Sequence, residues 1–476
     1  MLLMLTAVAL LACEPETPVR YCDSLIVEQT RSAIGCVRAV AAGMPKSGSV
    51  VYEGTVKIEG HLMRPGMTYQ RPVRLEVSFD TGAGSIRVCE SVGSGRSLSV
   101  ETVVLRNGRV AKQERAGAPF RELIDERADE WAAATGWFPS LVAGEALKAA
   151  PSCRLGAGVS ADGGLLTPVS FSDGNARACT LLLGDKDRPV RVERLVADDR
   201  LGDVCNWTSF ADWQERDSGV VPARLSRFQV VKDATLRYEL SLASFDGAPP
   251  AAGMFDVPAE HRGTVADWGV ERQEGGAIVE VGKGLWEVDV ESADSRVLVI
   301  ERKDDLVVLE APANDAVCRG ILERLCVKFP SKPVGVVAVG HHHPASSGGV
   351  RAFAAAGATV VVPRAMESFI REALSRPVSL GGPVLAERDV KVDVFDGERM
   401  LGEGETAVRL VDIGERSRTR SAMWCSFSRV RACCLRGILG TFRPMVLGTL
   451  EYGSKGWRER WSEEGFNRRG LCRRGR

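Results

Sequence analysis

The segment "VGVVAVGHHHPASSGGVRAFAAAGATVVVP" (residues 334–363) decides the fold of the C-terminal half of this chain. An apolar run of strand type, 334–340, is followed by three adjacent histidines, 341–343, and then by a helix-like run that ends at Gly357. A second apolar strand comes next. Strands that alternate with helices in this way predict an α/β layer, in which helices cover a sheet.

The three histidines stand where such a sheet exposes ligand-binding residues, just beyond the carboxyl end of a buried strand. The two-residue period of a strand predicts that His341 and His343 point to one side and His342 to the other. Two imidazoles on one side can share a zinc ion, although a hydrolytic zinc site needs three protein ligands and an open position. The segment therefore predicts a metal site or the remains of one, and a polar loop end is the alternative.

Residues 276–423 resemble the metallo-β-lactamase superfamily, which carries a "VVLEAP"-like turn, a helix, an apolar strand and then the motif H-x-H-x-D-H-x-G-G. His341 and His343 match the first two histidines of that motif, and Gly348 and Gly349 match its paired glycines. The resemblance implies an αββα sandwich. It also implies a zinc-bound hydroxide that hydrolyses esters, thioesters, lactams or phosphodiesters.

The chain departs from this motif at the other ligand positions. Ala345 stands where the motif has Asp, Ser346 where it has the next His, and Arg418 where the third zinc-site histidine is expected. Arginine stays protonated, so it cannot be a ligand and repels a cation. His341 and His343 remain as the predicted metal ligands, and zinc binding is predicted to be weak or absent. We assign no catalytic residue, because no base or orienting carboxylate stands beside the two histidines.

The N-terminal segment "MLLMLTAVALLAC" is apolar, ends in small residues and is too short to span a bilayer, so residues 1–20 are predicted to be an export signal. "LLAC" resembles the lipobox of bacterial lipoproteins, which implies a lipid on Cys13 and attachment to a membrane. A signal peptide that is cleaved without lipidation is the alternative. Either way, the predicted location is the cell envelope or periplasm.

Residues 21–260 are predicted to be a β-rich domain with helical inserts. Alternating segments such as "RPVRLEVSFD" and "RPVRVERLVAD" follow one another, and a Pro- and Gly-rich stretch, 246–263, then breaks the pattern. This pattern looks like the curved half-barrel of periplasmic lipoprotein carriers, which implies a lipid or acyl group in the concave face. A β-rich spacer with a packed interior is the alternative.

The sequence therefore predicts an α+β protein in which this half-barrel-like domain precedes an αββα-sandwich domain, 261–423, that is incomplete at its C-terminus. Lys+Arg and Asp+Glu number 62 each, so we expect no nucleic-acid partner. Bridges between Cys22 and Cys36, or among Cys153, Cys179 and Cys205, are compatible with export, and free buried thiols are the alternative.

Residues 424–476 differ from the rest of the chain because they are rich in Arg, Cys and Trp. Cys, Ser, Phe and Trp have codons that begin with T, and a one-base shift makes that T the middle base of apolar codons. The shifted reading permits the strand, turn, strand and Gly-Asp that the resemblance calls for. We therefore predict that this tail is a frameshift product, and a genuine basic segment that binds anionic lipid or nucleic acid is the alternative.

Two functions follow from these observations. The first is an exported hydrolase of the metallo-β-lactamase fold that is impaired or inactive. If it were active, a water on zinc held by His341 and His343 would attack a small ester or thioester. The second is a non-enzymatic envelope lipoprotein that binds lipid or a protein partner through its β-rich domain.

Overall fold

The computed structural model describes the chain in ranges separated by gaps. These ranges are 27–59, 68–123, 127–161, 164–172, 178–198, 201–231, 234–251, 253–256, 262–263, 277–290, 295–378, 385, 390–401, 407–412, 423–427 and 431–434. The chain forms two compact units that divide at residues 271 and 272, and residues 376–378 belong to the first unit. The predicted domain boundary at 260/261, Cys13, Arg418 and most of the predicted tail lie outside the described residues.

The first unit is built mainly from antiparallel strands. Its helices are α1 (Val27–Gly43), α2 (Arg127–Thr135) and α3 (Pro139–Lys148). Its strands are β1 (Ser47–Glu59), β2 (Tyr69–Asp80), β3 (Ser85–Val92), β4 (Ser99–Arg106), β5 (Arg109–Gln113), β6 (Phe120–Leu123), β7 (Arg154–Leu155), β8 (Val159–Ala161), β9 (Gly164–Ser172), β10 (Ala178–Leu183), β11 (Pro189–Asp198), β12 (Gly202–Arg216), β13 (Gly219–Val231), β14 (Ala234–Asp246) and β15 (Arg262–Gly263).

These strands form one sheet in the order β15-β6-β5-β4-β3-β2-β1-β14-β13-β12-β11-β10-β9-β7, with β8 paired to β9. Two meanders, β1 to β6 and β9 to β14, are joined where β1 pairs with β14, from Ser49 opposite Asp246 to Glu59 opposite Thr235. Inward residues of β2, such as Leu75, Val77 and Phe79, are buried and alternate with more exposed ones. This alternation is typical of a sheet that has one face on a core.

Helices α1 to α3 cover that core face, and aromatic residues at the α2–α3 junction anchor them. Phe138 packs on Phe79 of β2 with ring centroids 4.7 Å apart, and Trp137 meets Tyr238 of β14 edge-on at 5.1 Å. The Arg227 guanidinium lies 3.9 Å from the centre of the Trp137 ring and donates a hydrogen bond to the Ala133 carbonyl. The junction is therefore fixed by both apolar and cation–π contacts.

A buried ion pair also ties α3 to the sheet. Arg194 of β11 donates to the Glu145 carboxylate at 2.6 Å, and the Thr135 hydroxyl donates to the other carboxylate oxygen at 2.9 Å. The two charged side chains are only 8% and 10% exposed. Two charges can be buried at tolerable cost only when they are paired and hydrogen-bonded, and this geometry meets that condition.

The second unit alternates strands and helices and then continues with strands. Its helices are α4 (Asp315–Lys328), α5 (Pro344–Ser347), α6 (Val350–Ala355) and α7 (Glu367–Ser375). Its strands are β16 (Ile278–Gly282), β17 (Leu285–Val290), β18 (Ser295–Glu301), β19 (Leu306–Leu309), β20 (Val334–Ala338), β21 (Thr359–Pro363), β22 (Lys391–Phe395), β23 (Glu398–Leu401), β24 (Val408–Asp412), β25 (Met423–Phe427) and β26 (Arg431–Cys434).

Strands β16 to β22 form a seven-stranded sheet in chain order, antiparallel from β16 to β19 and parallel from β19 to β22. One face packs on α4, α6 and α7 through a cluster that includes Ile321, Phe353 and Ile370. Residues of the other face share a second cluster with Leu401 and Leu410 of the four-stranded sheet β23 to β26. The unit thus stacks helices, a mixed sheet and an antiparallel sheet.

The α+β class predicted from the sequence is confirmed at this level: the described chain is rich in strands and contains a large antiparallel sheet. Residues 277–290 form the hairpin β16–β17, which turns at Gly284 with a positive φ of 67°. A glycine tolerates this left-handed conformation, so it permits the turn.

The cysteines of the first unit that the structure describes are in the thiol form. Cys36, Cys89, Cys153, Cys179 and Cys205 form no disulfide in the structure. Of the two alternatives for Cys153, Cys179 and Cys205, the structure shows thiols and no bridges among them, and Cys22 lies outside the described residues. Burial is the main cause that raises the pKa of the Cys205 thiol to about 12, so this thiol is a poor nucleophile. Among the helices that the structure describes, none is long and apolar enough to cross a bilayer.

The Glu145–Arg194 pair predicts a strong dependence of the first unit on one carboxylate. Glu145→Ala leaves a buried guanidinium without that carboxylate, and we expect the free energy of unfolding to fall by about 3–5 kcal/mol. Arg224→Ala serves as the control, because it breaks an ion pair with Asp212 in which the Arg224 and Asp212 side chains are 57% and 61% exposed. We expect it to lower the free energy of unfolding by less than about 1 kcal/mol. Urea unfolding measures the free energy of unfolding of both variants. Equal losses would contradict the stabilising role of the buried Glu145–Arg194 pair.

Candidate functional site

The candidate site is the loop that follows β20, residues 339–349, together with the turn that follows β19, residues 310–313. β20 and β19 are neighbouring parallel strands, so their carboxyl ends lie at the same edge of the sheet. The loop contains the single helical turn α5, and α6 follows it. The histidine motif and the "VVLEAP" turn, which are far apart in sequence, are therefore brought together.

The histidines lie beyond the strand itself. β20 ends at Ala338, so the two-residue alternation expected for the histidines does not extend to His341. The ring centroids of His341 and His342 are 4.6 Å apart, closer than the 6.2 Å between His341 and His343. The prediction that His342 points away from its neighbours is therefore wrong, and all three rings belong to one cluster.

The cluster is largely closed to solvent. His341 and His342 are 2% and 3% exposed, and the His342 ring lies 5.7 Å from that of Phe369 on α7. His343 is half-buried, and its Nδ1 accepts a hydrogen bond from the backbone N–H of Ala345 at 3.2 Å. His343 therefore acts as the N-terminal cap of α5, a role that occupies one of its two ring nitrogens.

The turn after β19 has an unusual backbone. Glu310 and Ala313 have positive φ angles of 75° and 63°, a conformation that costs a residue with a Cβ about 1–2 kcal/mol. Backbone hydrogen bonds to the neighbouring loop hold the turn in this conformation. Ala311 donates its N–H to the Ser346 carbonyl at 2.8 Å and accepts from the Gly349 N–H at 3.0 Å. Backbone strain that is maintained by surrounding bonds is typical of functional or formerly functional sites.

The paired glycines explain how closely loop and turn approach. A Cβ on Gly348 would overlap the carbonyl of Ala313, and one on Gly349 would overlap the Cys318 sulfur and the Asn314 carbonyl. Neither glycine has a positive φ that would otherwise require it. Both positions are therefore restricted to glycine by packing against the start of α4.

Glu310 belongs to the "VVLEAP" turn but is not among the predicted site residues, and the structure gives it a central position. Its side chain is buried, and its carboxyl accepts hydrogen bonds from the Ser346 hydroxyl and the backbone N–H of Gly340. Its second oxygen, Oε2, has no hydrogen-bond partner within the described ranges. Burial outweighs both bonds and raises the pKa of Glu310 to about 8, so it is mostly a neutral acid at pH 7.

The residues around the histidines do not fit a zinc ion. Across the described part of the chain, no three His, Cys, Asp or Glu side chains are grouped so that they could hold a metal. Tetrahedral Zn–N bonds of about 2.0–2.1 Å place two ligand rings about 5 Å apart, so the rings of His341 and His343 would have to approach by about 1 Å. Ser346, at the position of a motif histidine, is turned toward Glu310 instead.

Gly348→Ala tests the packing of loop and turn. The added Cβ meets rigid backbone, so we expect the second unit to lose about 3 kcal/mol of unfolding free energy. Gly282→Ala, whose Cβ would meet only Leu285 at 3.8 Å, is the control and is expected to change stability by no more than about 0.5 kcal/mol. Native-state hydrogen exchange of β20 peptides reports the difference, and a harmless Gly348→Ala would disprove the close packing.

The raised pKa of Glu310 predicts that the stability of the second unit depends on pH. Folding raises the pKa of Glu310 from 4.5 to about 8, so the folded state binds more protons between these values and loses stability as the pH rises through them. We expect a loss on the order of 4 kcal/mol between pH 5 and pH 8.5. The Glu310→Gln variant cannot ionise, so it should lack this loss and be more stable than the natural chain at pH 8.5.

The measurement is hydrogen exchange of peptides from β19 and the loop 339–349 at several pH values. Intrinsic exchange accelerates with pH in both proteins, so their ratio at each pH isolates the contribution of Glu310. A ratio that stays constant from pH 5 to 8.5 would show that the carboxyl does not titrate in this window.

Comparison with known proteins gives distant similarities only. No protein-family profile matches the chain, and no curated protein matches it. Among solved structures, a DUF1329 family protein from Desulfovibrio piger is 8% identical, with 48% of this chain and 97% of that chain covered and a TM-score of 0.35. A putative outer membrane lipoprotein-sorting protein domain from Vibrio parahaemolyticus is 11% identical, with 46% and 92% covered and a TM-score of 0.31.

The metallo-β-lactamase FIM-1 from Pseudomonas aeruginosa, solved in a mono-zinc form, is 16% identical, with 32% of this chain and 64% of that chain covered and a TM-score of 0.25. A metallo-β-lactamase from Hirschia baltica is 17% identical, with 31% and 65% covered and a TM-score of 0.23. This chain thus spans slightly less than two thirds of these two enzymes. Both groups that the sequence resembles are therefore among the solved structures to which the chain is similar.

Proposed function

We propose that this chain is an exported envelope protein whose second unit has the metallo-β-lactamase architecture and has lost zinc-dependent hydrolysis. The observation that carries the proposal is the histidine loop. It keeps His341, His343 and the two packed glycines, while Ser346 has exchanged a ligand position for a hydrogen bond to Glu310. A site with inherited packing and without a third ligand cannot hold a hydrolytic zinc ion firmly.

The layer order of the second unit supports this ancestry. Helices α4, α6 and α7, the mixed sheet, and strands β23 and β24 of the antiparallel sheet correspond to three layers of an αββα sandwich. We infer that the fourth layer is incomplete, because the tail from residue 424 has the composition of a shifted reading frame. The nucleotide sequence of codons 340 to 440 tests that inference, and an uninterrupted frame would refute it.

The first unit is the part to which we assign the remaining function, binding of an acyl chain or a protein partner. Helix α2 touches β3 to β5, while α1 and α3 touch β7, β9 and β11, at the opposite end of the sheet order. The three helices also contact one another, and a sheet that curves around such a group brings strands from both ends of its order to it, which supports a half-barrel. Its interior contains the apolar side chains that an acyl chain requires.

We propose the cell envelope as the location, on the evidence of the N-terminal segment alone. An apolar run of this length with small residues before Cys13 is typical of an export signal, and a lipid on Cys13 would attach the protein to a membrane. Mass spectrometry of the mature N-terminus distinguishes an acylated Cys13 from a cleaved, unmodified chain.

The proposed loss of hydrolysis predicts the behaviour of the purified full chain. We expect substoichiometric zinc by elemental analysis, and no hydrolysis of a generic ester or thioester above the rate without protein. His341→Ala should alter neither result, because that imidazole completes no metal centre. Lipid that is extracted from the same preparation tests whether the first unit binds an acyl chain.

One pattern of results would overturn this proposal. It is one zinc per chain, together with ester or thioester hydrolysis that disappears in His341→Ala. The variant Lys303→Ala is the control, since it changes an exposed residue in the β18–β19 turn, away from the histidine loop. Loss of activity in both variants would indicate unfolding instead of a missing ligand.

A further inference from the structure

We propose that a hydrogen bond between Ser346 and Glu310 closes the histidine loop in this chain, so that the second unit folds without a metal ion. This inference rests on the proposed function, because it assumes that the loop no longer binds zinc firmly. It adds a specific role for two residues: they form a side-chain clasp between the loop 339–349 and the turn 310–313.

The first argument is the position of Ser346. In the motif this place belongs to a ligand histidine, whose bond to the ion would tie the loop to the rest of the centre. Here the residue is serine, 1% exposed, and its hydroxyl donates to the Glu310 carboxyl. The Ser346 side chain reaches the neighbouring turn instead.

The second argument is that Ser346 is doubly bound to that turn. Its carbonyl accepts the Ala311 N–H at 2.8 Å while its hydroxyl binds Glu310. The backbone N–H of Gly340, at the start of the loop, donates to the same carboxyl. Glu310 therefore joins Gly340, at the start of the loop, to Ser346 in α5.

The third argument is the conformation of Glu310. Its positive φ of 75° is unfavourable for a residue with a side chain, and a glycine there would remove the strain. The carboxyl gains two hydrogen bonds in return, which glycine could not make. The side chain is thus placed by a backbone conformation that is costly without the clasp.

The test uses the full chain and compares Ser346→Ala with Ser347→Ala. Both serines are buried, but the Ser347 hydroxyl bonds to the His343 carbonyl within the loop and does not reach Glu310. We expect Ser346→Ala to accelerate hydrogen exchange about tenfold in peptides of both 306–313 and 339–349. Ser347→Ala should affect only the loop, and by less.

The metal arm of the experiment uses zinc chloride and EDTA on the natural chain. We expect the thermal midpoint of the second unit, and the exchange of loop 339–349, to be the same with either addition. If EDTA opens the loop and zinc closes it again, the clasp is not what closes it, and the inference is wrong. Equal exchange in Ser346→Ala and the natural chain would also overturn it.

Glu310→Gln keeps the test decisive if Ser346→Ala fails to fold. Glutamine retains the acceptor oxygen for Ser346 and Gly340, so this variant should fold and keep the loop closed at pH 7 with EDTA present. An open loop in Glu310→Gln would overturn the clasp. Zinc-dependent hydrolysis of an ester by a chain whose loop stays closed in EDTA would instead contradict only the proposed function, so the two failures are distinguishable.

Discussion

The contact between the turn after β19 and the loop after β20 is the constraint on which the second unit depends. It is made of backbone hydrogen bonds at Ala311, close packing at Gly348 and Gly349, and a buried carboxyl at Glu310. The Asp315 carboxylate extends it by accepting the N–H of Ala352 at 3.1 Å, which fixes the start of α6 on α4. The turn and the loop follow the carboxyl ends of two neighbouring parallel strands. Their contact therefore shapes the edge of the sheet at which any ligand or reaction would have to be placed.

The sequence predicted the general organisation well because its patterns have physical periods. Alternating segments gave the antiparallel first unit, and strand–helix–strand succession from residue 334 gave the parallel part of the second. The hairpin β16–β17 was missed, since a single Gly284 within an apolar alternation is a weak turn signal. The side on which His342 lies was also missed, because the strand ends three residues before His341 and periodicity has no meaning beyond it.

Glu310 was the main site residue that sequence reasoning missed. In a sequence, a glutamate that follows an apolar strand is typical of a solvent-exposed strand end. Only the fold reveals that Gly340 and Ser346 form hydrogen bonds with Glu310. Its signal was its place in the quoted "VVLEAP" turn. By contrast, the interpretation of Gly348 and Gly349 could be made from the motif, and the structure supplies the reason, which is steric. Whether His341 and His343 bind zinc stays a prediction.

The pairing of β1 with β14 has a consequence for how this protein is made. Residue 49 lies opposite residue 246, so the centre of the large sheet joins segments from both ends of the first unit. Such high contact order slows folding, and β1 presents an unpaired backbone edge until β14 has been synthesised. A nascent chain of this topology therefore needs protection from aggregation until β14 can pair with β1.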